Sequence, residues 1–331
     1  MSSRKAARSG RFLQQAERLA ESLRGHDPIG RMRAVGDLLS GSGERPGALA
    51  TCPRDPPTLS LGWQTDLIFA RFDGEVVDRG NHLLVRTPGN PTFWWGNFLL
   101  FQHAPGPGDL ERWMALFDEE IERAQPASRH RAFGLDVRAR LALPPDFAAA
   151  GFALNEATVL TLARDQLRVP ARPLPAAVEF RVLDLPRDSA AVVDKQAAVD
   201  EGRYEAVGYR VFAERQMDRY AAMQRAGLGH WFGVVARVDG RAVLAASCGL
   251  FRDPARAEGL GRFQYVSTHP AWRRRGLCTA LVHAACRHGF EAMDLRTLAM
   301  LADPDDVAIG VYESLGFRRG TSTWQLERAP R

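Results

Sequence analysis

The stretch that most constrains the fold lies at residues 262–279, which read RFQYVSTHPAWRRRGLCT. Residues 262–268 predict a strand, because side chains that suit a pleated surface alternate there, and the strand is expected to stop at Pro270. From Leu277 onward, apolar residues recur every three to four positions, which predicts a helix packed on a sheet. The stretch therefore predicts a strand, a short turn and a helix in direct succession.

The turn between this strand and this helix has the chemistry of an anion site. The first backbone N–H groups of a helix have no internal partner, and the helix dipole favours negative charge at that end. The turn reads Arg273-Arg274-Arg275-Gly276, in which the glycine allows close approach of a ligand and the arginines supply positive charge. A phosphate-rich ligand fits this chemistry, and a solvated basic surface is the alternative.

Two motifs in this part of the chain resemble signatures of the GNAT superfamily of acyl-CoA-dependent N-acetyltransferases. The segment Arg273-x-x-Gly276-x-Cys278 resembles the pyrophosphate loop of the family, Gln/Arg-x-x-Gly-x-Gly/Ala, with Cys278 in place of a smaller residue. Residues 308–317, AIGVYESLGF, resemble the helix of the family that carries a tyrosine and is followed by Gly-Phe. Two motifs in this order are more specific than either alone, and the resemblance extends over residues 180–326.

The resemblance implies acetyl-CoA as co-substrate, and no metal. It implies that backbone N–H groups of the loop hold the pyrophosphate and that the strand edge takes the pantetheine arm. The cofactor-binding residues that it implies are Val266, Ser267, Thr268, Arg273, Arg274, Arg275, Gly276, Leu277, Cys278, Thr279 and Asp305. Asp305 stands where the family often has Asn, and an N-cap of the following helix is its alternative role.

The resemblance also implies that Tyr312 protonates the departing thiolate as general acid. The alternative is a tyrosine packed in the core. No general base is nominated, because the strand face on which family members often place a carboxylate has Arg262 and Gln264 instead. Residues that could act through a water are Glu201, Glu205, Tyr209, His230 and Glu258.

The acceptor is expected to be a primary amine of an unidentified small molecule or peptide, bound in the cleft between two lobes. Several aromatic residues are compatible either with an acceptor groove or with the core. They are Tyr204, Tyr209, Phe212 and Trp231. A non-catalytic acyl-CoA-binding regulatory protein is the alternative function, and the presence of Tyr312 argues against it.

Length and composition allow two domains of ordinary size, since 331 residues are 45% hydrophobic and 25% charged. Residues 1–57 predict a helical arm followed by a Gly/Pro-rich connector. Residues 58–170 predict an N-terminal α/β lobe, and residues 176–331 predict the C-terminal GNAT acetyltransferase domain that the resemblance implies. A proline-rich joint at residues 169–175 separates the two.

The predicted fold class is α/β, a GNAT fold with a mixed central sheet flanked by helices, arranged as two tandem GNAT-like lobes with the N-terminal helical arm. The tandem arrangement rests on an internal similarity, because residues 147–162 repeat in outline the later helix and strand at residues 312–326. The turn in the first lobe has two prolines and no arginine, so this lobe is expected not to bind CoA in the usual way. An unrelated α+β domain is the alternative.

Local patterns in the first lobe predict its elements. Strands are expected at residues 66–72, 83–85 and 93–101, with a hairpin-type turn around Asp73-Gly74. An amphipathic helix with Asp109 as its N-cap is expected to follow. In the second lobe, Asp239-Gly240 predicts a hairpin between strands at residues 231–238 and 242–250.

Charge and cysteine content exclude several classes of protein. A net charge of +5 on a chain of this size gives no support for nucleic-acid or membrane binding. Four cysteines without C-x-x-C spacing indicate neither a zinc site nor a disulfide framework. No apolar run approaches the length of a membrane span, so the protein is expected in the cytoplasm, as a monomer or homodimer.

Overall fold

The structure, a computed structural model, describes residues 59–330 with gaps at 173, 176, 201–205 and 257–258. The helical arm and connector predicted for residues 1–57 lie outside the described residues. We refer to residues 59–172 as the N-terminal segment and to residues 177–330 as the C-terminal segment. No helix among the described residues is long and apolar enough to cross a membrane.

Both segments contain helices and strands. The helices are α1 (Leu61–Asp73), α2 (Asp109–Phe117), α3 (Pro145–Ala149), α4 (Ser189–Asp200), α5 (Ala206–Arg225), α6 (Leu277–Glu291) and α7 (Ala308–Ser314). The strands are β1 (Glu75–Asp78), β2 (Leu83–Arg86), β3 (Phe98–Phe101), β4 (Arg131–Leu135), β5 (Ala153–Ala163), β6 (Val178–Leu183), β7 (Gly229–Val238), β8 (Arg241–Arg252), β9 (Leu260–Thr268), β10 (Thr297–Ala302) and β11 (Arg318–Arg328).

These strands form one mixed sheet in the order β1-β2-β3-β4-β11-β5-β10-β9-β8-β7-β6. Two neighbouring pairs are parallel, β3 with β4 and β9 with β10, and the other neighbours are antiparallel. A crossover helix connects each parallel pair, α2 in the N-terminal segment and α6 in the C-terminal segment. The mixed sheet with flanking helices confirms the predicted fold class.

The two segments repeat one order of elements. The order β1-β2-β3-α2-β4-α3-β5 corresponds to β7-β8-β9-α6-β10-α7-β11. The crossover helix follows a left-handed glycine in both cases, Gly108 with a φ of 78° and Gly276 with a φ of 76°. This repetition is the tandem arrangement that the sequence predicts. The last strand of each segment crosses over, because β5 pairs with β10 and β11 pairs with β4.

The local predictions for the first lobe are partly wrong. Residues 66–72 belong to helix α1, and Gly74 ends this helix by donating its N–H to Ala70 O at 2.8 Å. Trp63, Leu67 and Ala70 pack into one cluster and Ile68 and Phe69 into another. Because α1 is buried on two sides, its apolar residues are consecutive and resemble a strand in the sequence.

Two further local predictions need correction. Only Phe98–Phe101 of the run at residues 93–101 is a strand, since Trp94–Gly96 forms a 3₁₀ turn. Gly108, not Asp109, occupies the N-cap position of α2. The Asp109 carboxylate instead accepts a hydrogen bond from Gly106 N at 2.8 Å. The predicted hairpin at Asp239-Gly240 is confirmed, because it joins β7 to β8.

Candidate functional site

The basic turn before α6 presents unpaired backbone donors. Gly276 has a φ of 76°, and a Cβ added there would meet nothing within 4 Å. Arg274 also has a positive φ, 62°, so two left-handed residues shape this short turn. In the part of the chain that the structure describes, the backbone amides of residues 274–279 have no hydrogen-bond acceptor. A turn of this kind at a helix N-terminus can bind an anion through its backbone N–H groups.

The three arginines of the turn differ in their surroundings, although all are exposed. Arg275 donates to Ala271 O at 3.2 Å, and its guanidinium lies 4.7 Å from the Trp272 ring centroid. Arg274 has no side-chain partner among the described residues. The side chain of Arg275 therefore helps to hold the turn, while Arg274 presents its charge to solvent.

Strand β9 separates from β10 before it reaches the turn. The two strands pair only where residues 260–262 meet residues 297–299, whereas β9 continues to Thr268 and β10 to Ala302. A bulge at Tyr265, which has a φ of 49°, marks the region of separation. The backbone of residues 263–268 thus has no strand partner on the side of β10. We call the space between the diverging strands the gap.

The sequence-predicted residues Val266, Ser267 and Thr268 lie on this part of β9 and are half-buried. Cys278 lies in the first turn of α6, and burial raises the pKa of its thiol to about 11. The predicted strand residues and the predicted loop residues therefore lie at the end of β9, in the turn and in the first turn of α6, which follow one another directly.

Tyr312 lies on α7 and is 6% exposed, within the same hydrophobic cluster as Leu277 and Leu281. Its ring packs against Phe317, with 6.1 Å between the ring centroids. Burial raises the pKa of Tyr312 above its usual range, and the nearby Cys278 and Asp306 contribute in the same direction. The hydroxyl is protonated at neutral pH, as that of an unperturbed tyrosine is, and burial further disfavours its loss of the proton.

Asp305 does not cap the N-terminus of α7, which was the alternative to a role in cofactor binding. The N-cap position of α7 is Val307, and it is the Asp306 carboxylate that accepts from Ala308 N at 2.8 Å. Asp305 itself is exposed, and its backbone N–H donates to Asp303 Oδ1 at 2.9 Å. Its side chain lies just outside the helix that carries Tyr312.

Lys195 is a residue that the sequence analysis missed. It lies on α4, is 3% exposed, and its Nζ donates to Ser267 Oγ and, at 3.4 Å, to Ser267 O. Burial lowers its pKa to about 7. A signal existed in the composition, because the chain has only two lysines, Lys5 and Lys195, among 44 basic residues. Lysine, unlike arginine, can lose its proton when buried.

A carboxylate does lie beside β9, but it belongs to the N-terminal segment. Arg262 of β9 forms an ion pair with Asp66 of α1, with 2.8 Å between Nη2 and Oδ1. Burial raises the pKa of Asp66, and Arg262 opposes this effect. Sequence reasoning missed Asp66 because it lies about 200 positions before its partner in the chain.

The other residues considered as proton acceptors separate into three groups. Glu201, Glu205 and Glu258 lie outside the described residues, as does Tyr204 of the proposed aromatic groove. The His230 ring packs against His288 and Phe232. Tyr209 lines a cavity and its hydroxyl bonds that of Tyr265.

A cavity of about 410 Å³ lies between the two segments. Of the predicted groove residues, Tyr209 and Phe212 line it, whereas Trp231 is fully buried in the core. Twelve of its 23 lining residues come from the N-terminal segment and eleven from the C-terminal segment. The N-terminal segment therefore forms about half of the cavity wall.

The corresponding turn in the N-terminal segment is already filled. Strand β3 pairs with β4 up to its last residue, and Asp136 N donates to Phe101 O at 2.8 Å beyond it. The Trp113 ring stacks on Phe101 with 3.9 Å between centroids. The Asp109 carboxylate occupies the turn by accepting from Gly106 N. In this segment the two parallel strands thus stay paired to the end of β3, and a side chain of the turn accepts one of its own backbone N–H groups.

No group of three or more His, Cys, Asp or Glu side chains that could hold a metal ion occurs among the residues the structure describes.

The lowered pKa of Lys195 predicts a pH-dependent cost to stability. The unfolded chain takes up a proton on this lysine below pH 10.5, but the folded chain does so only below about pH 7. Stability therefore falls as the pH drops through this window and is flat below it. Relative to Lys195→Met, the free energy of unfolding in urea should rise by up to about 1.4 kcal/mol per pH unit between about pH 7.5 and about pH 9. A difference that is constant with pH would contradict this assignment.

Comparison with known proteins agrees with these features. Residues 197–317 match the model of the acetyltransferase (GNAT) family. A search of curated protein sequences finds no match. A functionally unknown conserved protein from Staphylococcus epidermidis is similar in structure, with 12% identity, a TM-score of 0.58, and 78% of this chain and 96% of that chain covered.

Two structures of GCN5-related N-acetyltransferases are also similar. That from Kribbella flavida has 20% identity and a TM-score of 0.50, with 80% of this chain and 92% of that chain covered. That from Sphaerobacter thermophilus has 17% identity and a TM-score of 0.50, with 77% and 82% covered. At these identities the likeness shows a shared fold, while the family match concerns the region that contains the turn, the gap and Tyr312. Residues 197–317 of this chain are therefore a domain of the GNAT acetyltransferase family.

Proposed function

We propose that the protein is an acetyl-CoA-dependent N-acetyltransferase that acetylates a primary amine of a small molecule or peptide. One observation supports this most strongly. The continuous segment at residues 263–279 combines a strand edge without a partner and a helix N-terminus with free amides. An extended arm that ends in a pyrophosphate needs both features, hydrogen-bonding backbone along its length and N–H donors at its anionic end.

In this proposal the residues of the turn bind the pyrophosphate. They are Arg273, Arg274, Arg275, Gly276, Leu277, Cys278 and Thr279, and they act mainly through backbone N–H groups. Val266, Ser267 and Thr268 bind the pantetheine arm along the gap, and a backbone N–H of β9 polarises the acetyl carbonyl. Asp305 is placed at the margin of the site. The acetyl thioester supplies the activated acyl group, and the chain orients it.

Tyr312 is the proposed general acid, which donates a proton to the thiolate as it leaves. The hydroxyl carries its proton at neutral pH, and because burial disfavours the phenolate, it releases that proton only to a strong base such as the developing thiolate. Lys195 is a positioning residue in this scheme, because its ammonium or amine holds Ser267 at the end of β9.

The organisation of the whole chain is also a proposal. We divide it into an arm and connector at residues 1–57, a GNAT-like lobe at 58–170 that does not bind CoA, and the catalytic domain at 176–331. We propose a cytoplasmic protein that acts as a monomer or homodimer.

Two matched glycine substitutions test the cofactor site. Gly276→Ala and Gly108→Ala place a methyl group on equally left-handed glycines with nothing within 4 Å. Both should therefore lose similar stability, about 1–2 kcal/mol. Only Gly276→Ala should weaken acetyl-CoA binding, by about tenfold or more in Kd measured by calorimetry, because its methyl group points into the space that the pyrophosphate would approach. Equal Kd values for the two variants would refute the site.

Substitution of the tyrosine tests the acid. Tyr312→Phe should lower kcat by about 100-fold and change the Kd for acetyl-CoA by less than about threefold, because the ring still packs and only the proton is lost. CoA release measured with a thiol reagent gives kcat, and thermal unfolding checks the fold. Turnover at the wild-type rate would remove Tyr312 from this role. Tight acetyl-CoA binding without turnover of any amine by the wild type would instead indicate the regulatory alternative.

A further inference from the structure

The cavity between the two segments is rich in aromatic side chains. Ten of its 23 described lining residues are Trp, Phe or Tyr. Phe93 of the N-terminal segment and Phe212 of α5 both line it, and their ring centroids are 5.7 Å apart. A volume of about 410 Å³ lies in the range of small-molecule sites. The cavity therefore favours a flat, apolar ligand of small-molecule size.

The charged residues that line the cavity can pair with one ammonium group. Arg219 Nε lies 2.6 Å from Asp73 Oδ2, and Arg262 Nη2 lies 2.8 Å from Asp66 Oδ1, so both lining arginines are paired. Asp66 is the one acidic residue in the described lining, and Arg262 is its one ion-pair partner there. A carboxylate can accept several hydrogen bonds, so Asp66 can take a second cationic partner. A polyamine would require further acids.

The cavity adjoins the gap in the sheet. Gln264 and Tyr265 of β9 line it, and so does Leu301 of β10. These residues lie beyond Arg262 and Ala299, where the pairing of the two strands ends. An amine in the cavity is therefore next to the strand edge to which the proposed function assigns the acyl donor.

We propose that the acceptor is a single primary amine on an aromatic body, an arylalkylamine, whose rings stack in this cavity and whose ammonium group pairs with Asp66. This inference rests on the proposed function and specifies its substrate class. The N-terminal segment then determines specificity, since it supplies Asp66 and Phe93. Cation–π contact with the surrounding rings adds to the preference for a cationic amine.

The test uses the full chain with acetyl-CoA and three amines, 2-phenylethylamine, ethanolamine and spermidine. The kcat/KM for 2-phenylethylamine should exceed that for the other two by about tenfold or more, because neither of them fills an apolar cavity. Binding is measured separately, from the change in tryptophan fluorescence on titration with each amine, since Trp63 and Trp95 line the cavity.

Matched variants locate the effect. Phe212→Leu should raise the KM for 2-phenylethylamine about tenfold, whereas Phe180→Leu, at another half-buried phenylalanine outside the lining, should leave it within about twofold. Asp66→Asn should raise KM about tenfold, whereas Glu75→Gln, which removes the ion-pair partner of Arg86 outside the lining, should leave it within about twofold. Phe93→Leu provides a second aromatic test if Phe212→Leu fails to fold.

The outcomes separate this inference from the proposed function. Equal turnover of spermidine or ethanolamine would overturn the substrate class and leave the acetyltransferase proposal standing. Equal changes in the KM for 2-phenylethylamine in Phe212→Leu and Phe180→Leu would likewise overturn the substrate class and leave the acetyltransferase proposal standing. If acetyl-CoA does not bind, the proposed function fails. The fluorescence titration then still shows whether the cavity binds the aromatic amine. Binding of 2-phenylethylamine that Phe212→Leu abolishes would support the site, and no binding by the wild type would overturn it.

Discussion

The antiparallel pairing of β5 with β11 joins the two segments, and the rest of the architecture depends on it. Because β5 also pairs with β10, and β11 with β4, the last strand of each segment lies within the sheet of the other. Neither segment has a complete sheet by itself. Ala157 of β5 and Gln325 of β11 line the cavity, so the same pairing that joins the segments also fixes the two halves of the cavity wall relative to each other.

Within this shared frame the two segments differ at the strand–turn–helix unit. In the N-terminal segment an aspartate accepts from the turn and a stacked tryptophan covers the strand end. In the C-terminal segment the first turn of α6 has no acidic residue, and β9 parts from β10. The difference gives the segments different roles. In our proposal the C-terminal segment binds the anionic, extended cofactor, and the N-terminal segment supplies walls to the cavity beside it.

Sequence reasoning predicted the parts of this arrangement that are local in the chain. The turn at residues 273–276, the hairpin between β7 and β8 and the repeated order of elements all follow from patterns within a few tens of residues. Helix α1 was misassigned because burial on two sides removes its amphipathic pattern. The pair Asp66–Arg262 and the bond from Lys195 to Ser267 could not be predicted, because only the folded sheet brings these positions together.

Hydrogen exchange with and without saturating acetyl-CoA tests the central claim most directly, because it reads backbone amides one peptide at a time. The account predicts slower exchange at residues 263–268 and 274–279 when acetyl-CoA is added. It predicts no change at residues 104–109, where the equivalent turn is occupied by Asp109. Protection at residues 104–109, or unchanged exchange at residues 274–279, would contradict the assignment of the cofactor to the C-terminal segment.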